Sequence, residues 1–399
     1  MVRFVHTADW QIGMTRRFLA PEAQARFAAA RIDVLRRIGQ VARDQGCDFV
    51  LVCGDVFEHD QLTPQTLRRT LEALRAVDVP VYLLPGNHDH LGPMSVWSTP
   101  LMTEELPDHV RVLDRPGVHE VGPGVEIVAV PWHGKHPQED LVGPVLSDLA
   151  EPAEGTVRIL AAHGVVDILD QERRHRAAVP TEVLRGALGS GLVHYVALGD
   201  RHSRTEVAAG IWYSGAPEPT AWREDSPGDV LVVEVETCGS RPGRGAVRVT
   251  PHHVAAWSFV TVERRVDGEA DIEALDGELG ALPDKDRALV HLALRGTLGL
   301  AQHARLEEVL ARHEHLLGAL HRPPQHTDLV LAGDDDIAEL GLGGFLASAV
   351  EDMRSMAGTD GQRADPEDGT AFAPGRPDDG SSARDALQLL YRLARGGSR

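Results

Sequence analysis

The sequence predicts an α/β fold in which a mostly parallel sheet is covered by helices on both faces. Through about residue 215, short apolar runs alternate with longer stretches whose apolar residues recur at helical spacing. This alternation of strand-like and helix-like segments is typical of parallel sheets. Several of the apolar runs also end at Asp, Asn, His or Gly. Folds of this class place their functional sites at the carboxyl ends of the strands.

The predicted elements follow one another in a regular order. Residues 3–8 read as a strand, and the spacing of apolar residues over 23–44 predicts a helix. The next predicted elements are strand 49–53, helix 65–77, strand 81–84, strand 126–130, strand 157–162 and strand 195–198. From about residue 204 to 253 the pattern is β-rich without long helices. We expect these segments to add edge strands to a second sheet layer.

The remainder of the chain differs in character. A new alternation between about residues 255 and 343, with a strand at 288–295 and a helix at 304–317, predicts a separate small α/β domain. Residues 356–381 are rich in Gly, Asp, Pro and Ser, which is typical of a flexible linker. An amphipathic stretch then predicts a terminal helix. We therefore divide the chain into 1–255, 256–345, 346–381 and 382–399.

Composition narrows the classes of protein to consider. The formal net charge of -20 argues against a broad basic surface that binds nucleic acid by itself. A nucleic-acid substrate stays compatible with this charge, because bound divalent cations and a local groove supply positive charge that the sum hides. The three cysteines form no CxxC pair, so neither a disulfide framework nor a thiolate zinc site is expected.

The sequence also predicts a cytoplasmic location and no membrane partner. No apolar stretch reaches the roughly 18 to 20 residues that a membrane-spanning helix requires. The chain opens directly on a strand-like run, without a basic and then apolar leader.

Five short polar motifs stand immediately after predicted strands. They are Asp9-Trp10-Gln11, Gly54-Asp55, Gly86-Asn87-His88-Asp89, His163-Gly164 and Gly199-Asp200-Arg201-His202. Converging strand ends would bring their carboxylate, amide and imidazole groups together, a set that suits Mn, Fe, Zn or Mg. Two cations about 3.5 to 4 Å apart can hold both sides of an in-line displacement at phosphorus and activate a water. We expect Asp55 to bridge the metals and His88 to assist the leaving oxygen, with Asp89 orienting its ring.

At these motifs the chain resembles the calcineurin-like metallophosphoesterase superfamily, and within it the SbcD-type branch of DNA repair exonucleases. The segments that carry the resemblance are His6-Thr7-Ala8-Asp9-Trp10, Gly54-Asp55-Val56-Phe57, Gly86-Asn87-His88-Asp89 and Tyr213-Ser214-Gly215-Ala216-Pro217-Glu218. The resemblance implies a four-layer αββα sandwich, the nuclease domain, over residues 1–255. It implies a small α/β cap domain and a tethered C-terminal helix after that.

The resemblance also implies ligands for two divalent cations, with Mn expected and Mg, Fe or Zn as alternatives. The first metal would take Asp9, Asp55 and His202. The second would take Asp55, Asn87, His163 and Asp200. Two positions depart from the family pattern, because Gln11 and Asp200 stand where histidines are usual. An amide oxygen is a weaker ligand than imidazole, so we expect the first metal to be held less tightly and activity to depend steeply on added Mn.

Three further residues are candidates for contact with substrate, namely Glu58, His59 and Gly215. For Glu58 and His59 the alternative interpretation is a solvated loop, and for Gly215 it is a plain tight turn. The metal-site motifs also have an alternative interpretation, since Asp, Asn and Gly favour the turns at strand ends in any case. Their joint occurrence in the expected order favours the metal site.

The resemblance implies DNA as substrate, an SMC-like coiled-coil ATPase as partner, and a homodimer. The cap would contact DNA, and the terminal helix would dock on the ATPase. Two alternatives stay open. One is a phosphoesterase for a small substrate such as a cyclic nucleotide, which the acidic charge mildly favours. The other is a scaffold subunit with a weakened site, against which the intact Asn87-His88-Asp89 block argues.

Overall fold

The computed structural model describes most of the chain, in segments 1–170, 175–236, 246–323, 328–331 and 348–353. These residues fall into two compact units, which divide between Phe259 and Val260. Residues 348–353 are helical, although the sequence assigned them to a flexible linker at 346–381. The predicted terminal helix at 382–399 lies outside the described residues.

The first unit alternates strands and helices along the chain, as the sequence predicts. Its strands are β1 (Val2–Thr7), β2 (Phe49–Cys53), β3 (Val81–Leu84), β4 (Val110–Val112), β5 (Gly117–Gly122), β6 (Val125–Val130), β7 (Val157–His163), β8 (Tyr195–Gly199), β9 (Thr205–Ala208), β10 (Ile211–Tyr213), β11 (Asp229–Val235) and β12 (Val247–His253). Its helices are α1 (Pro21–Asp44), α2 (Pro64–Arg75), α3 (Pro100–Glu104), α4 (Val142–Ser147) and α5 (Thr181–Ser190). Single 3₁₀ turns lie at Val96–Ser98 and Asp167–Leu169.

The strands form two six-stranded mixed sheets. The first has the order β12-β11-β1-β2-β3-β4, and the second has the order β5-β6-β7-β8-β10-β9. Pairing is parallel from β1 to β4 and from β6 through β8 to β10, while the outer strands pair antiparallel. The β-rich segment after residue 204 therefore splits. Its first two strands extend the second sheet as expected, but β11 and β12 extend the first, which corrects the prediction.

Three apolar clusters stack these elements into four layers. The first cluster packs Val52 of β2 against Leu35 of α1 and Leu71 of α2. The second lies between the sheets, where the rings of Phe4 and Tyr195 meet edge to face with centroids 5.8 Å apart. The third joins the second sheet to α4 and α5. Because successive side chains of a strand point to opposite faces, a strand buried on both faces contributes side chains to two clusters. The predicted αββα sandwich is confirmed.

This architecture brings the ends of several strands to one place. In a parallel register, His6 of β1 lies beside Leu51 of β2, and His163 at the end of β7 lies beside Gly199 at the end of β8. The chain therefore leaves β1, β2 and β3 at one edge of the first sheet, and β7 and β8 at one edge of the second. The predicted polar motifs occupy these exits.

The second unit has its own strands, helices and apolar cluster. The elements are β13 (Ser258–Arg265), α6 (Glu269–Ala281), β14 (Ala288–Leu298), α7 (Leu300–Glu314), β15 (Ala319–His321) and β16 (Asp328–Leu331). Strand β14 pairs with β13, and it pairs parallel with β15 and β16. Leu292 of β14, Leu275 of α6 and Leu310 of α7 belong to the shared cluster. The role of a cap stays a prediction. Within the described segments, no helix is long and apolar enough to cross a membrane.

Candidate metal centre

Side chains from the two sheets meet at the ends of the central strands. Asp9 follows β1, Asp55 follows β2, and His163 ends β7. Each of these three buried residues offers a ligand atom, and the three atoms lie within 4.8 Å of one another. Residues more than 150 positions apart in the chain thus form one compact cluster of hard donors.

His163 lies at the middle of the cluster. Its Nδ1 is 2.9 Å from the carbonyl oxygen of Cys53. A carbonyl oxygen only accepts, so Nδ1 carries a proton, and Nε2 is the nitrogen that a metal could take once it is unprotonated. Nε2 lies 2.7 Å from Asn87 Oδ1 and 3.4 Å from Asp55 Oδ1. It also lies 3.7 Å from Asp200 Oδ1. The structure therefore brings together the residues predicted to hold the second metal.

The residues predicted to hold the first metal are adjacent. The backbone N–H of Asp200 donates to both carboxylate oxygens of Asp9, at 3.1 and 3.2 Å. Gln11 is buried, and its Nε2 lies 2.9 Å from Nε2 of His202. The Oε1 of Gln11 is buried and has no hydrogen-bond partner among the described residues. An unpartnered buried amide oxygen is costly, and a cation at this position would satisfy it.

Two residues that the sequence did not indicate orient His202. Its Nδ1 lies 2.7 Å from Thr220 Oγ1 and 3.1 Å from Glu224 Oε1. Glu224 also accepts from the backbone N–H of Thr220 at 2.9 Å. A carboxylate on Nδ1 fixes the tautomer that leaves Nε2 for a metal. Both residues lie in an irregular segment, where no periodic pattern marks them.

The hydrogen bonds around His88 differ from those expected. The Nδ1 of His88 lies 2.9 Å from the carbonyl oxygen of Glu58, and its Nε2 lies 4.0 Å from Asp55 Oδ2. The buried carboxylate of Asp89 instead accepts from the backbone N–H groups of Gly86 at 2.7 Å and Phe57 at 3.1 Å. Asp89 therefore holds two loops together, and the main chain of Glu58 orients the catalytic candidate. This corrects the role predicted for Asp89.

The other two substrate candidates differ in exposure. Gly215 is buried against the backbone of residues 202–204, and an added Cβ would lie 2.9 Å from the carbonyl oxygen of His202. It packs against the loop of His202, and its contact with substrate stays a prediction. His59 is exposed and lines a cleft with Thr63 of the α2 N-cap and Arg36 of α1.

The backbone at the centre adopts conformations that L-residues rarely take. Of the six non-glycine residues with positive φ in the described segments, four are candidate site residues, with φ of 54° at Asp9, 45° at Gln11, 52° at Asp55 and 98° at Asp200. Such residues persist only where the surrounding structure determines them, and they cluster at functional sites. The sharp turn out of each strand directs these side chains back across the strand ends.

Glycines create the space that the ligands need. A Cβ at Gly54 would lie 2.0 Å from Nδ1 of His163, and one at Gly86 would lie 2.3 Å from Asp55 Oδ1. At Gly199 it would lie 1.8 Å from the Cys53 carbonyl oxygen, which is the acceptor of His163. These contacts are too short for a residue with a Cβ. Steric crowding therefore explains why the predicted motifs have glycine at these positions.

The electrostatics of the cluster also suit bound cations. Burial raises the pKa of the Asp9 carboxyl to about 7, although the nearby His202 and His163 oppose the shift. Burial alone would lower the pKa of His163, but the carboxylates of Asp55, Asp200 and Asp9 outweigh it and raise the pKa to about 9. Buried carboxylates that hold protons so strongly lack a permanent positive partner. Divalent cations supply one, so the donor set and its charge fit them.

A fold with two packed sheets and a donor set of this kind defines a metallophosphoesterase. The sequence profile described as Calcineurin-like phosphoesterase matches residues 2–204, and the chain belongs to this family. Members of the family bind divalent metals, which agrees with the candidate site at Asp9, Asp55 and His163.

The relatives agree with the branch indicated by the motifs. The chain is 30% identical over 154 residues to the SbcD subunit of nuclease SbcCD from Bacillus subtilis, a match that spans 37% of this chain and 37% of that protein. It is 28% identical over 359 residues to the corresponding subunit from Rhodobacter capsulatus, covering 74% of this chain and 80% of that protein. TT1561 of Thermus thermophilus, a solved structure, aligns with 63% of this chain and 99% of its own, at 12% identity and a TM-score of 0.38.

Proposed function

We propose that this protein is a two-metal phosphodiesterase that hydrolyses DNA, as an exonuclease in repair. The observation that carries the proposal is the convergence of carboxylate, amide and imidazole donors from both sheets within a few ångströms of Nε2 of His163. The DNA substrate is supported by the relatives, which are named as nuclease subunits. Mn is the metal that we expect.

The residues divide between two cation positions. Asp9, Asp55, His202 and Gln11 would hold the first cation. Asp55, Asn87, His163 and Asp200 would hold the second. Two divalent cations bound there lower the pKa of a water and offset charge that develops on the phosphoryl oxygens. Asp55 is suited to serve both positions, since it offers a ligand atom within 4.8 Å of those of Asp9, in the first set, and His163, in the second.

His88 is positioned to act on the leaving group. Because its Nδ1 faces the carbonyl oxygen of Glu58 at 2.9 Å, Nδ1 carries a proton and donates it. Nε2 then points toward the carboxylates, 4.0 Å from Asp55 Oδ2. In the protonated ring, Nε2 holds a second proton that the leaving oxygen can take up. The ring is about one-third exposed, so substrate can reach it.

The wider context of the activity is also proposed from the relatives. The SbcD relative is by its name one part of a larger nuclease, and we infer an SMC-like coiled-coil ATPase as partner here. A homodimer, a cytoplasmic location, DNA contact by the second unit and ATPase docking by residues 382–399 belong to the same proposal. Loss of ATPase association on deletion of residues 382–399 would support the docking role.

The test compares substrates and variants at defined metal concentrations. Protein stripped with a chelator is titrated with Mn and assayed on linear DNA, hairpin DNA and bis-p-nitrophenyl phosphate. His88→Ala is expected to lower kcat about 10² to 10⁴-fold, and Asp55→Asn is expected to abolish Mn-dependent turnover. His119→Ala, at a half-buried histidine on β5, is the matched control and is expected to keep full activity. Unchanged DNA hydrolysis in Asp55→Asn would refute the proposal.

The same assay addresses the second candidate, a small-substrate phosphoesterase. The observation that favours it is the net charge of -20, which repels a polyanion from most of the surface. In that case a cyclic nucleotide is hydrolysed with a higher kcat/KM than any DNA end. If the protein hydrolyses none of the substrates, either with or without Mn, the result would instead support a scaffold subunit.

A further inference from the structure

A cleft with a volume of 400 Å³ opens directly beside the candidate metal centre. Its lining includes Asn87 and Asp200, both predicted ligands of the second metal. It also includes the basic residues Lys135, His136, His175 and Arg176. Lys135 and Arg176 line this cleft together in a chain with 60 Asp and Glu residues and only 40 Lys and Arg residues. The position of the cleft next to the cluster indicates a binding surface for an anion.

No carboxylate among the described residues pairs with Lys135 or Arg176, the two side chains of this cleft that are charged at neutral pH. Within the described part of the chain, Lys135 forms no hydrogen bond or ion pair, and its side chain is exposed. The guanidinium of Arg176 donates to the neutral amide of Gln138 at 3.1 Å, and no described carboxylate pairs with it. An ammonium and a guanidinium in this state are available to an external anion.

The segment that carries Lys135 is attached to the metal centre through Trp132. The indole N–H of Trp132 donates to the carbonyl oxygen of His163 at 2.7 Å. The backbone N–H of Trp132 donates to Pro85 at 3.2 Å, and its carbonyl oxygen accepts from Leu91 at 2.8 Å. Lys135 lies three residues after this anchor, so its segment starts from a backbone that contacts the metal centre.

The segment that carries His175 and Arg176 is held by a carboxylate. Asp170 accepts from the backbone N–H of His175 at 2.9 Å, and its Oδ1 lies 3.3 Å from the ring Nδ1 of the same residue. The backbone N–H of Asp170 in turn donates to Val166 at 3.2 Å, just beyond the end of β7. Arg176 therefore starts from an anchored backbone.

We propose that this cleft binds a phosphate of a nucleic-acid strand adjacent to the phosphate that is cleaved. The inference rests on the proposed function, and it adds a substrate preference. A phosphate seated between Lys135 and Arg176 places the next phosphodiester of the strand at Asn87 and Asp200. Substrates with two or more phosphates gain this contact, whereas a single phosphodiester does not. A local basic cleft would also explain how an acidic chain retains DNA.

A labelling experiment tests the cleft without requiring hydrolysis. The chain has two lysines, Lys135 and Lys285, and Lys285 lies in the second unit. Metal-free protein is treated with pyridoxal 5′-phosphate, an aldehyde that carries a phosphate, and is then reduced with borohydride. The label on each lysine is measured by mass spectrometry. The 5′-phosphorylated dinucleotide pTpT is expected to protect Lys135 and to leave Lys285 unchanged. Equal protection of both lysines, or of neither, overturns the proposal.

Kinetics of variants provide the second readout. In Lys135→Gln and Arg176→Gln, we expect kcat/KM for pTpT to fall about tenfold or more relative to that for bis-p-nitrophenyl phosphate, since a charge-assisted hydrogen bond is lost. The slope of log K against log salt for single-stranded DNA should decrease by about one. Lys285→Gln is the matched control, and Lys135→Arg should restore most of the activity. An equal loss on both substrates overturns the proposal.

These outcomes separate the cleft from the reaction. If the unmodified protein hydrolyses no DNA with Mn present, the proposed function fails, while protection of Lys135 by pTpT still supports the anion site. If DNA is hydrolysed and Lys135 is not protected, the proposed function stands and the cleft proposal is wrong.

Discussion

Gln11 is the residue at which this chain departs most clearly from the pattern that its motifs imply. Its amide is buried beside His202, and its oxygen has no partner among the described residues. An amide oxygen at a cation position is a weaker ligand than an imidazole nitrogen for the transition metals. The first metal is therefore the one that we expect to dissociate during purification.

Gln11→His is expected to tighten that position. The added imidazole nitrogen should lower the Mn concentration that gives half-maximal activity by about tenfold, a change of about 1.4 kcal/mol in binding free energy. Mn binding measured by calorimetry or electron paramagnetic resonance should show a second ion retained after dialysis. Gln40→His, on the exposed side of α1, is the control. Equal Mn binding in the Gln11 variant and the unmodified protein would contradict the weak-ligand interpretation.

Glu224 acts on the metal centre through His202. Replacing it with Ala removes the acceptor 3.1 Å from Nδ1 of His202, so the ring loses its fixed tautomer. We expect Mn affinity at the first position to fall about 10 to 100-fold. Glu224→Gln keeps an acceptor, so its Mn affinity should fall less than that of Glu224→Ala. A purely structural role of Glu224 would not produce this difference. Mn binding by calorimetry measures the change, with Glu182→Ala on exposed α5 as control.

The identities of the ligand candidates were available from the sequence, but their supports were not. Asp9, Asp55 and His163 stand in short motifs directly after apolar runs, and the structure brings them together. The bond between Glu224 and His202 joins residues in irregular segments, for which no periodicity exists. The role of Asp89 was misjudged for a related reason, because its partners Gly86 and Phe57 become neighbours only when β2 and β3 pair.

At the scale of elements, the decisive feature is the exit of each central strand into a turn. Strands 49–53 and 81–84 were predicted with the bounds that the structure has, because buried parallel strands are continuous apolar runs bounded by polar residues. The sheet to which β11 and β12 belong was not predictable in this way. Apolar alternation identifies a strand, but it carries no information on its neighbour.

Gly54→Ala tests the steric origin of these turns. The new Cβ would lie 2.0 Å from Nδ1 of His163, at a φ of 90°. The positive φ costs about 1–2 kcal/mol, and the forced displacement of the imidazole costs about 1–3 kcal/mol more. We expect a lower free energy of unfolding in urea and a loss of Mn binding.

Gly155→Ala separates the two costs of the Gly54 substitution. Gly155 has a φ of 83° and nothing within 4 Å of an added Cβ. This variant should therefore show only the backbone cost and normal Mn binding. Similar losses of stability and Mn binding in both variants would show that displacement of His163 has no part in the effect.

At the scale of the whole molecule, the buried ionisable groups determine how stability depends on pH. Burial raises the pKa of Asp9 to about 7 and that of Asp89 to about 8, and neighbouring carboxylates bring His163 to about 9. The folded protein therefore binds more protons than the unfolded chain above pH 6.5, and its stability falls as pH rises. His6, with a pKa lowered by burial to about 3, has the opposite effect only below pH 6.5.

Metal-free protein is accordingly expected to lose thermal stability between pH 6.5 and 8.5. The midpoint of unfolding, followed by circular dichroism in the presence of EDTA, should fall by at least about 2 °C. Saturating Mn replaces the protons on the carboxylates, so its stabilising effect should be larger at pH 8.5 than at pH 6.5. A midpoint that rises with pH in EDTA would contradict the assigned shifts.

The pairing of β1 with β11 has a consequence for biosynthesis. Val2–Thr7 is translated before the other strands of its sheet, yet one of its two flanking strands is Asp229–Val235. Until more than 200 further residues have been translated, this apolar segment has one unpaired side that another chain can join. We therefore expect the unpaired edge of this strand to bind a chaperone while the nascent chain is incomplete.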